Sequence, residues 1–436
     1  MLKLPPSAKI IGYFFSIIPK NRFFRSVSTL AGGAALGQIL NIIASPLLTR
    51  LYSPEDFGVF GVYASILGIF IVTASFRYEF AIPLPEDDRN AANILFLCFV
   101  LLFGTTIFSA FLIFFCGQQI VTWANVPQLG CYLWLIPLGL FGSGAYQILS
   151  YWAIRKRNFT QLGKTKFTRG FARVFLQIGI GLFTPGPIGL LLGQCAGDSA
   201  GSGSLGTAAW KMDRFSFKSV SFNGIRNVAR RYKRFPIFSG TADLIDSLGL
   251  NLPQLLFAAF YGANVVGFFM FATRIIGAPL NLVVDSVSQV FLGEVSQLAK
   301  VDLISLKLFF IKLLFKLVVI GGIPIGIICF FAPCFFSLIF GSEWITAGTY
   351  VQIMGIMFAI RFAIVPFQHI FTILEKQDIY LFWNSTRFFI VIGSILLGKL
   401  LNLPDLSVIA VYSGSMSISY IFLIFLIWKT LKTLAK

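Results

Sequence analysis

Leu51-Tyr52-Ser53-Pro54-Glu55-Asp56-Phe57-Gly58-Val59-Phe60 sets a short polar turn between two apolar stretches, 27–48 and 57–78. Each stretch holds the roughly 20 apolar residues that a helix needs to cross about 30 Å of hydrocarbon. The pattern then recurs. Phe260-Tyr261-Gly262-Ala263-Asn264-Val265-Val266-Gly267-Phe268-Phe269 echoes it at a constant spacing of 209 residues, from Tyr52 to Tyr261 and from Gly58 to Gly267. Each copy joins an odd span to the next on the same side of the membrane. The repeat is therefore parallel, with its axis along the membrane normal, as between transporter halves. Two such lobes with a cavity between them can rock about a midplane site.

The composition agrees. Of the 436 residues, 57% are hydrophobic and 12% charged, with a mean hydropathy of +0.83. A soluble domain has about 25% charged residues, so a soluble enzyme, a disordered chain and a secreted disulfide scaffold are excluded. Twelve spans are expected, near 27–48, 57–78, 91–115, 131–152, 167–184, 187–209, 236–259, 265–291, 308–332, 347–374, 379–400 and 407–428. They divide the chain into an amphipathic N-terminal segment (1–26), a six-helix lobe (27–210), a basic inter-lobe loop (211–234) and a second six-helix lobe (235–436). Six cysteines without a CxxC pair read as reduced packing residues, and a single histidine excludes a His-based metal site. No cofactor is expected. Without a GxxxxGK[ST] loop, driving force must come from an ion gradient or from consumption of product.

Net charge is +18, and the cations sort by side. Thirty of the thirty-five fall at one set of span ends, only Arg50 and Lys399 at the other, and Arg274, Arg361 and Arg387 within spans. Cytoplasmic loops carry such an excess, so both termini are expected in the cytoplasm, with the chain in the inner membrane. The basic stretches Arg155–Arg173 and Lys211–Arg234 suit anionic lipid headgroups, and their aromatics suit interfacial anchoring better than nucleic-acid stacking.

Charge inside a span costs roughly 2.5–3.5 kcal/mol on insertion scales and normally faces the bundle interior or water. Arg274, Arg361 and Arg387 are thus candidates for binding an anion, with Arg77, beside Glu79 at the end of span two, as a further contact or a snorkelling pair. Asp243, Asp246 and Asp285 are the acidic candidates, for ion coupling or for a static pair such as Asp246 with Arg274. His369 reads as a packed polar group before a proton relay. Gly189, Gly193, Gly197 and Gly201 form one smooth face in span six, suited to close packing within a lobe or to sliding, and Asp198 beside it could reach a polar cavity. Prolines at 46, 137, 253, 279, 324 and 366 mark kink positions.

Together these features resemble the polysaccharide flippases, the O-antigen and exopolysaccharide transporters of the multidrug/oligosaccharidyl-lipid/polysaccharide exporter superfamily. The residues that carry the resemblance are Leu48-Thr49-Arg50-Leu51-Tyr52-Ser53-Pro54-Glu55-Asp56-Phe57-Gly58, Arg77-Tyr78-Glu79-Phe80-Ala81-Ile82 and Leu84-Pro85-Glu86-Asp87-Asp88. Tyr151-Trp152-Ala153-Ile154-Arg155-Lys156-Arg157-Asn158-Phe159 follows span four, and Val266-Gly267-Phe268-Phe269 with Arg274, Pro279 and Ser286-Val287-Ser288-Gln289-Val290-Phe291 matches span eight. The resemblance implies an all-α membrane protein of two pseudo-symmetric six-helix lobes around a cationic cavity. It also implies transfer of a polyprenyl-diphosphate-linked oligosaccharide from the cytoplasmic to the periplasmic leaflet, without catalysis. A polysaccharide polymerase and a chain-length regulator are the expected protein partners. The rivals are a multidrug or small-molecule antiporter of the same superfamily, whose cavity would favour acidic residues, and a membrane polymerase, ligase or glycosyltransferase, which would need a larger outer loop.

Overall fold

The computed structural model describes residues 22–301, 303–374 and 376–434. Most of the N-terminal segment expected over 1–26 lies outside them, as do the side chains of Asp285 and His369. The described chain is helical, with no strand. The N-terminal half runs α1 (Arg22–Leu51), α2 (Pro54–Thr73), α3 (Asp88–Ala124), α4 (Leu135–Arg155), α5 (Phe159–Gly181), α6 (Ile188–Ser199) and α7 (Ser202–Lys218). A short helix α8 (Phe222–Arg231) connects it to the second half. That half runs α9 (Thr241–Tyr261), α10 (Ala263–Val301), α11 (Leu303–Leu317), α12 (Ile323–Phe330), α13 (Ala332–Phe340), α14 (Ile345–Ile364), α15 (Ile370–Ile373), α16 (Gln377–Leu400) and α17 (Asp405–Leu434).

Nine helical stretches among the described residues are long and apolar enough to cross a membrane. The other three expected spans fall on α4, α5 and the α6–α7 pair. α5 carries Lys164, Lys166, Arg169 and Arg173, which explains its low hydropathy. Span six is not continuous. α6 stops at Ser199, Ala200 is extended, and Gly201 has φ +87°, a left-handed conformation that suits glycine. The expected inter-lobe loop is also largely helical. Ser221 caps α8 by accepting from the Gly224 amide at 3.1 Å, and its own amide donates to Asn93 Oδ1 at 3.1 Å.

The turn between α1 and α2 is a capping box. The Asp56 amide donates to Ser53 Oγ at 3.2 Å, and the Ser53 amide returns to Asp56 Oδ2 at 2.9 Å, with Pro54 opening the helix. This fixes Gly58 where α2 crosses α10. A Cβ on Gly58 would meet the Ala263 carbonyl, and a Cβ on Gly267 would meet the Pro54 carbonyl. The two contacts are exchanged by the 209-residue spacing, 54 with 263 and 58 with 267. The crossing is thus a pseudo-two-fold, isologous contact, and the sequence echo is a real symmetry of the fold.

Around this pivot lies an aromatic cluster. Phe271 meets Trp344 at a centroid distance of 4.4 Å, Phe340 at 4.9 Å and Phe57 at 5.3 Å. Phe57 and Phe268 also contact Trp344, at 5.1 and 6.1 Å. Trp344 Nε1 donates to the Thr49 carbonyl at 3.2 Å, tying the end of α1 to the start of α14. The cluster lies at the end of the bundle opposite the cation-rich one. On the cation-rich face, Asp88 accepts from Arg155 at 2.9 Å and from Lys156 at 2.7 Å, and Lys156 continues to Asp213 at 2.6 Å. Burial pulls the Lys156 ammonium down, but Asp213 and Asp88 outweigh it and hold its pKa above the usual lysine value.

Candidate functional site

Glycine contacts bring α5 deep into the N-terminal half. A Cβ on Gly33 of α1 would meet Gly163 of α5, and one on Gly37 would meet the Lys166 carbonyl and Gly170. On its other side α5 faces α6, where Gly193 lies against Gln177 and the Arg173 carbonyl, and Gly197 against Arg169 and Arg173. Gly189 lies against Tyr52 instead, and Gly201, past the end of α6, against Thr165. The expected four-glycine face is therefore three helical glycines and one at the break, all packed within the N-terminal half.

This arrangement carries two arginines inward. Arg173 lies 14 residues into α5, about 21 Å from its cation-rich end at 1.5 Å per residue. Asp198, 8% exposed, accepts from Arg169 at 2.9 Å and from Arg173 at 2.6 Å, both on Oδ1. Gln194 Nε2 donates to its Oδ2 at 2.6 Å. The Arg169 guanidinium also lies 4.1 Å from the centre of the Tyr146 ring, and its Nε donates to the Gly197 carbonyl at 3.3 Å. Neither arginine was singled out as a site residue from sequence, because both fall in the stretch counted as a basic loop. The available signal was their i, i+4 spacing, which puts both on one helix face.

Arg274 crosses between the halves. It sits 11 residues into α10, about 16 Å from the helix start, and donates to Asn41 Oδ1 of α1 at 3.2 Å. Asn41 is one turn from Gly37, which packs against Gly170 of α5, one turn before Arg173. The expected Asp246–Arg274 pair does not form. Asp246 instead accepts from Arg387 of α16 at 2.7 Å, and Arg387 stacks over Trp383 at 4.8 Å. The reason is depth: α9 packs against both α10 and α16, but Asp246 lies 15 residues from the α9–α10 turn and Arg274 only 11, whereas Asp246 and Arg387 lie 11 and 10 residues from Phe235 and Gln377 at the cation-rich ends of their helical stretches. Arg361 donates to Asn281 at 3.0 Å, and Tyr412 lies within electrostatic reach of both Arg361 and Arg387. Nearer the cation-rich face, Arg77 makes a second inter-half link, 2.8 Å to Asp243 and 3.4 Å to Glu79. Arg77 has φ +63°, outside helical geometry, at the turn that follows α2. No group of three potential metal ligands occurs among the described residues.

Arg169, Arg173, Arg274 and Arg387 thus lie within the helix bundle and Arg361 makes a more exposed contact, with Asp198 and Asp246 as the only carboxylates ion-paired to these five among the described residues. Residues 47–348 match the family described as "Polysaccharide biosynthesis protein". The chain belongs to that family. A comparison with curated proteins finds no match. Among solved structures, the lipid II flippase MurJ in an inward closed conformation superposes with a TM-score of 0.70 at 12% identity, over 91% of this chain and 86% of that one. An inward-facing multidrug resistance MATE transporter of the MOP superfamily gives 0.60 at 14% identity, over 94% and 96%. A MOP superfamily transporter from Pyrococcus furiosus, described by the reverse polarity of its binding pocket, gives 0.59 at 12% identity, over 94% and 96%. The polysaccharide biosynthesis protein described here has the fold of these transporters, and it is a multi-pass membrane protein.

Proposed function

We propose that this polysaccharide biosynthesis protein flips a polyprenyl-diphosphate-linked oligosaccharide, such as an O-antigen or exopolysaccharide repeat unit, across the inner membrane by alternating access. The cation-rich face is the cytoplasmic one, and the lobes are 27–210 and 235–436. The excess of buried guanidiniums over carboxylates supports this reading. A diphosphate cannot cross hydrocarbon unaided, and arginine offers it planar, two-pronged donors. A cation-exporting antiporter would need the opposite balance.

Arg274 is the central contact, because an amide is its partner and it reaches across the halves. Arg361, also on an amide, is the second. Arg387 and Arg77 are engaged by carboxylates and serve mainly to hold the bundle. Asp246 becomes available for ion coupling only when Arg387 moves. The polyprenyl tail stays in lipid and passes between the halves. Replacing Arg274 with Ala should abolish complementation of a flippase-deficient strain at normal membrane levels, and Arg274→Lys should restore part of it. Full complementation by Arg274→Ala overturns the proposal.

A further inference from the structure

We infer that the N-terminal half supplies the second arm of the diphosphate site through Arg173, and that Asp198 is a built-in counter-ion from which the incoming phosphate takes that arginine over. This rests on the flippase reading above.

The charge count is the first support. Two partly buried guanidiniums share one oxygen of a buried carboxylate, so the cluster carries an excess of one positive charge. A static buried pair is stable when its charges balance and its remaining hydrogen-bonding groups are filled. This cluster satisfies its carboxylate fully, through Arg169, Arg173 and Gln194, and leaves its cations in surplus.

The two arginines also differ. Arg169 is held three ways, by Asp198, by the Tyr146 ring and by the Gly197 carbonyl. That carbonyl belongs to the last turn of α6, which the break at Ala200 leaves without a full set of partners. Arg169 therefore works as the cap of a helix end inside the membrane. Arg173 holds only Asp198 among the described partners, and its Nε is buried without a hydrogen bond. It also lies on the face of α5 that packs on α1: Gly170, one turn before it, meets Gly37, and Gly37 is one turn from Asn41, the acceptor for Arg274.

A diphosphate between the halves would take Arg274 from one side and Arg173 from the other, one guanidinium fork for each phosphate. Asp198 would keep Arg169 and Gln194, so the carboxylate is never left unpaired. In the empty protein Asp198 satisfies Arg173, and in the loaded protein it competes with the phosphate for it. The competition moderates affinity and lets the product leave.

The test uses the full-length protein purified in lipid nanodiscs, with geranylgeranyl diphosphate as probe and geranylgeraniol as its uncharged control. The diphosphate should raise the melting temperature of the wild type and the alcohol should not. Arg173→Ala should bind the diphosphate at least tenfold more weakly, with Arg173→Lys in between. Asp198→Asn should bind about tenfold more tightly, yet flip a labelled lipid-linked sugar more slowly in vesicles. Should Arg173→Ala fail to fold, Arg173→Gln combined with Asp198→Asn removes both charges together and should show the same weak binding. Wild-type affinity in the Arg173 variants, or unchanged affinity in Asp198→Asn, overturns the inference and leaves the flippase reading standing. Equal stabilisation of the wild type by the alcohol and the diphosphate overturns the flippase reading itself.

Discussion

The α2–α9 seam and the α1–α10 seam are counterparts under the 209-residue repeat, but they are built from different chemistry. Along α2–α9 the contacts are polar from mid-membrane to the cation-rich face. Ser65 donates to Gln254 at 3.0 Å, Ser247 to the Gly68 carbonyl at 3.1 Å, and Arg77 reaches Asp243 at 2.8 Å. On the other seam Ser65, Gln254 and Ser247 have polar counterparts, Arg274, Ser45 and Gln38, but the remaining positions do not repeat the latch. Ile42 stands where α9 has Asn251, Ala34 where it has Asp243, and Ser286 where the first half has Arg77. The same contrast shows in the glycines. A Cβ on Gly68 would lie 2.9 Å from Asn251 Oδ1, whereas one on its counterpart Gly277 would meet nothing within 4 Å. One seam is latched. The other is joined at mid-depth by the Arg274–Asn41 hydrogen bond and has room beyond it. Symmetric architecture thus carries an asymmetric hinge, and the α1–α10 side is where the halves can part with least loss of contact.

The strongest test is at the pivot the seams share. Gly267→Ala drives a methyl into the Pro54 carbonyl, and overpacking of this kind costs about 1–3 kcal/mol. The variant should melt well below the wild type in detergent, and Gly58→Ala should match it. If one of the two is tolerated, the counterpart relation fails at its centre. A smaller effect is expected at the latch. Arg77→Gln and Asp243→Asn, combined in a double-mutant cycle, should show a coupling of about 1 kcal/mol, as this pair is only partly buried. Zero coupling would mean that the latched seam is held by α2–α9 shape alone. The finest contrast is Gly68→Ala against Gly277→Ala. The first must displace Asn251 from Ser247 and should destabilise by a few tenths to about 1 kcal/mol. The second meets open space and should be neutral or gain up to about 1 kcal/mol from helix propensity. Equal losses at both positions would erase the difference between the seams.

The pivot was legible in the sequence because its cause is local. A polar turn, a proline and a glycine recur at fixed spacing, and fixed spacing is what a chain displays directly. Arg274 was legible for a similar reason: a lone guanidinium ten or so residues inside an apolar run must be accommodated somewhere. Arg173 was hidden by the same rule. The expected span 167–184 covers it, but it ends a run of seven cations and counts with them at the span end; the packing of α5 between the glycines of α1 and α6 is what sets it apart. The partner of Asp246 was hidden for another reason. Charge complementarity offered Arg274, Arg361 and Arg387 equally, and the choice among them is made by which one reaches the depth of Asp246 on a helix packed against α9. The break in span six depends on one left-handed glycine within a glycine-rich run, where sequence offers six candidates and no way to rank them.

The rings around Trp344 have a consequence that concerns the cell more than the cargo. A membrane in which this protein sits is charged, and each proton that slips through it dissipates about 2.3 kcal/mol per 100 mV. A site lined with guanidiniums and open to water on one face is half of a conducting path already. Phe57, Phe268, Phe271, Phe340 and Trp344 interlock edge to face with little polar surface on which a file of water could form. On the alternating-access proposal, these rings are what would insulate the face opposite the cations. The tolerance to which those rings must fit is set by the leak of a single proton, a far stricter standard than retaining a lipid-linked sugar would require.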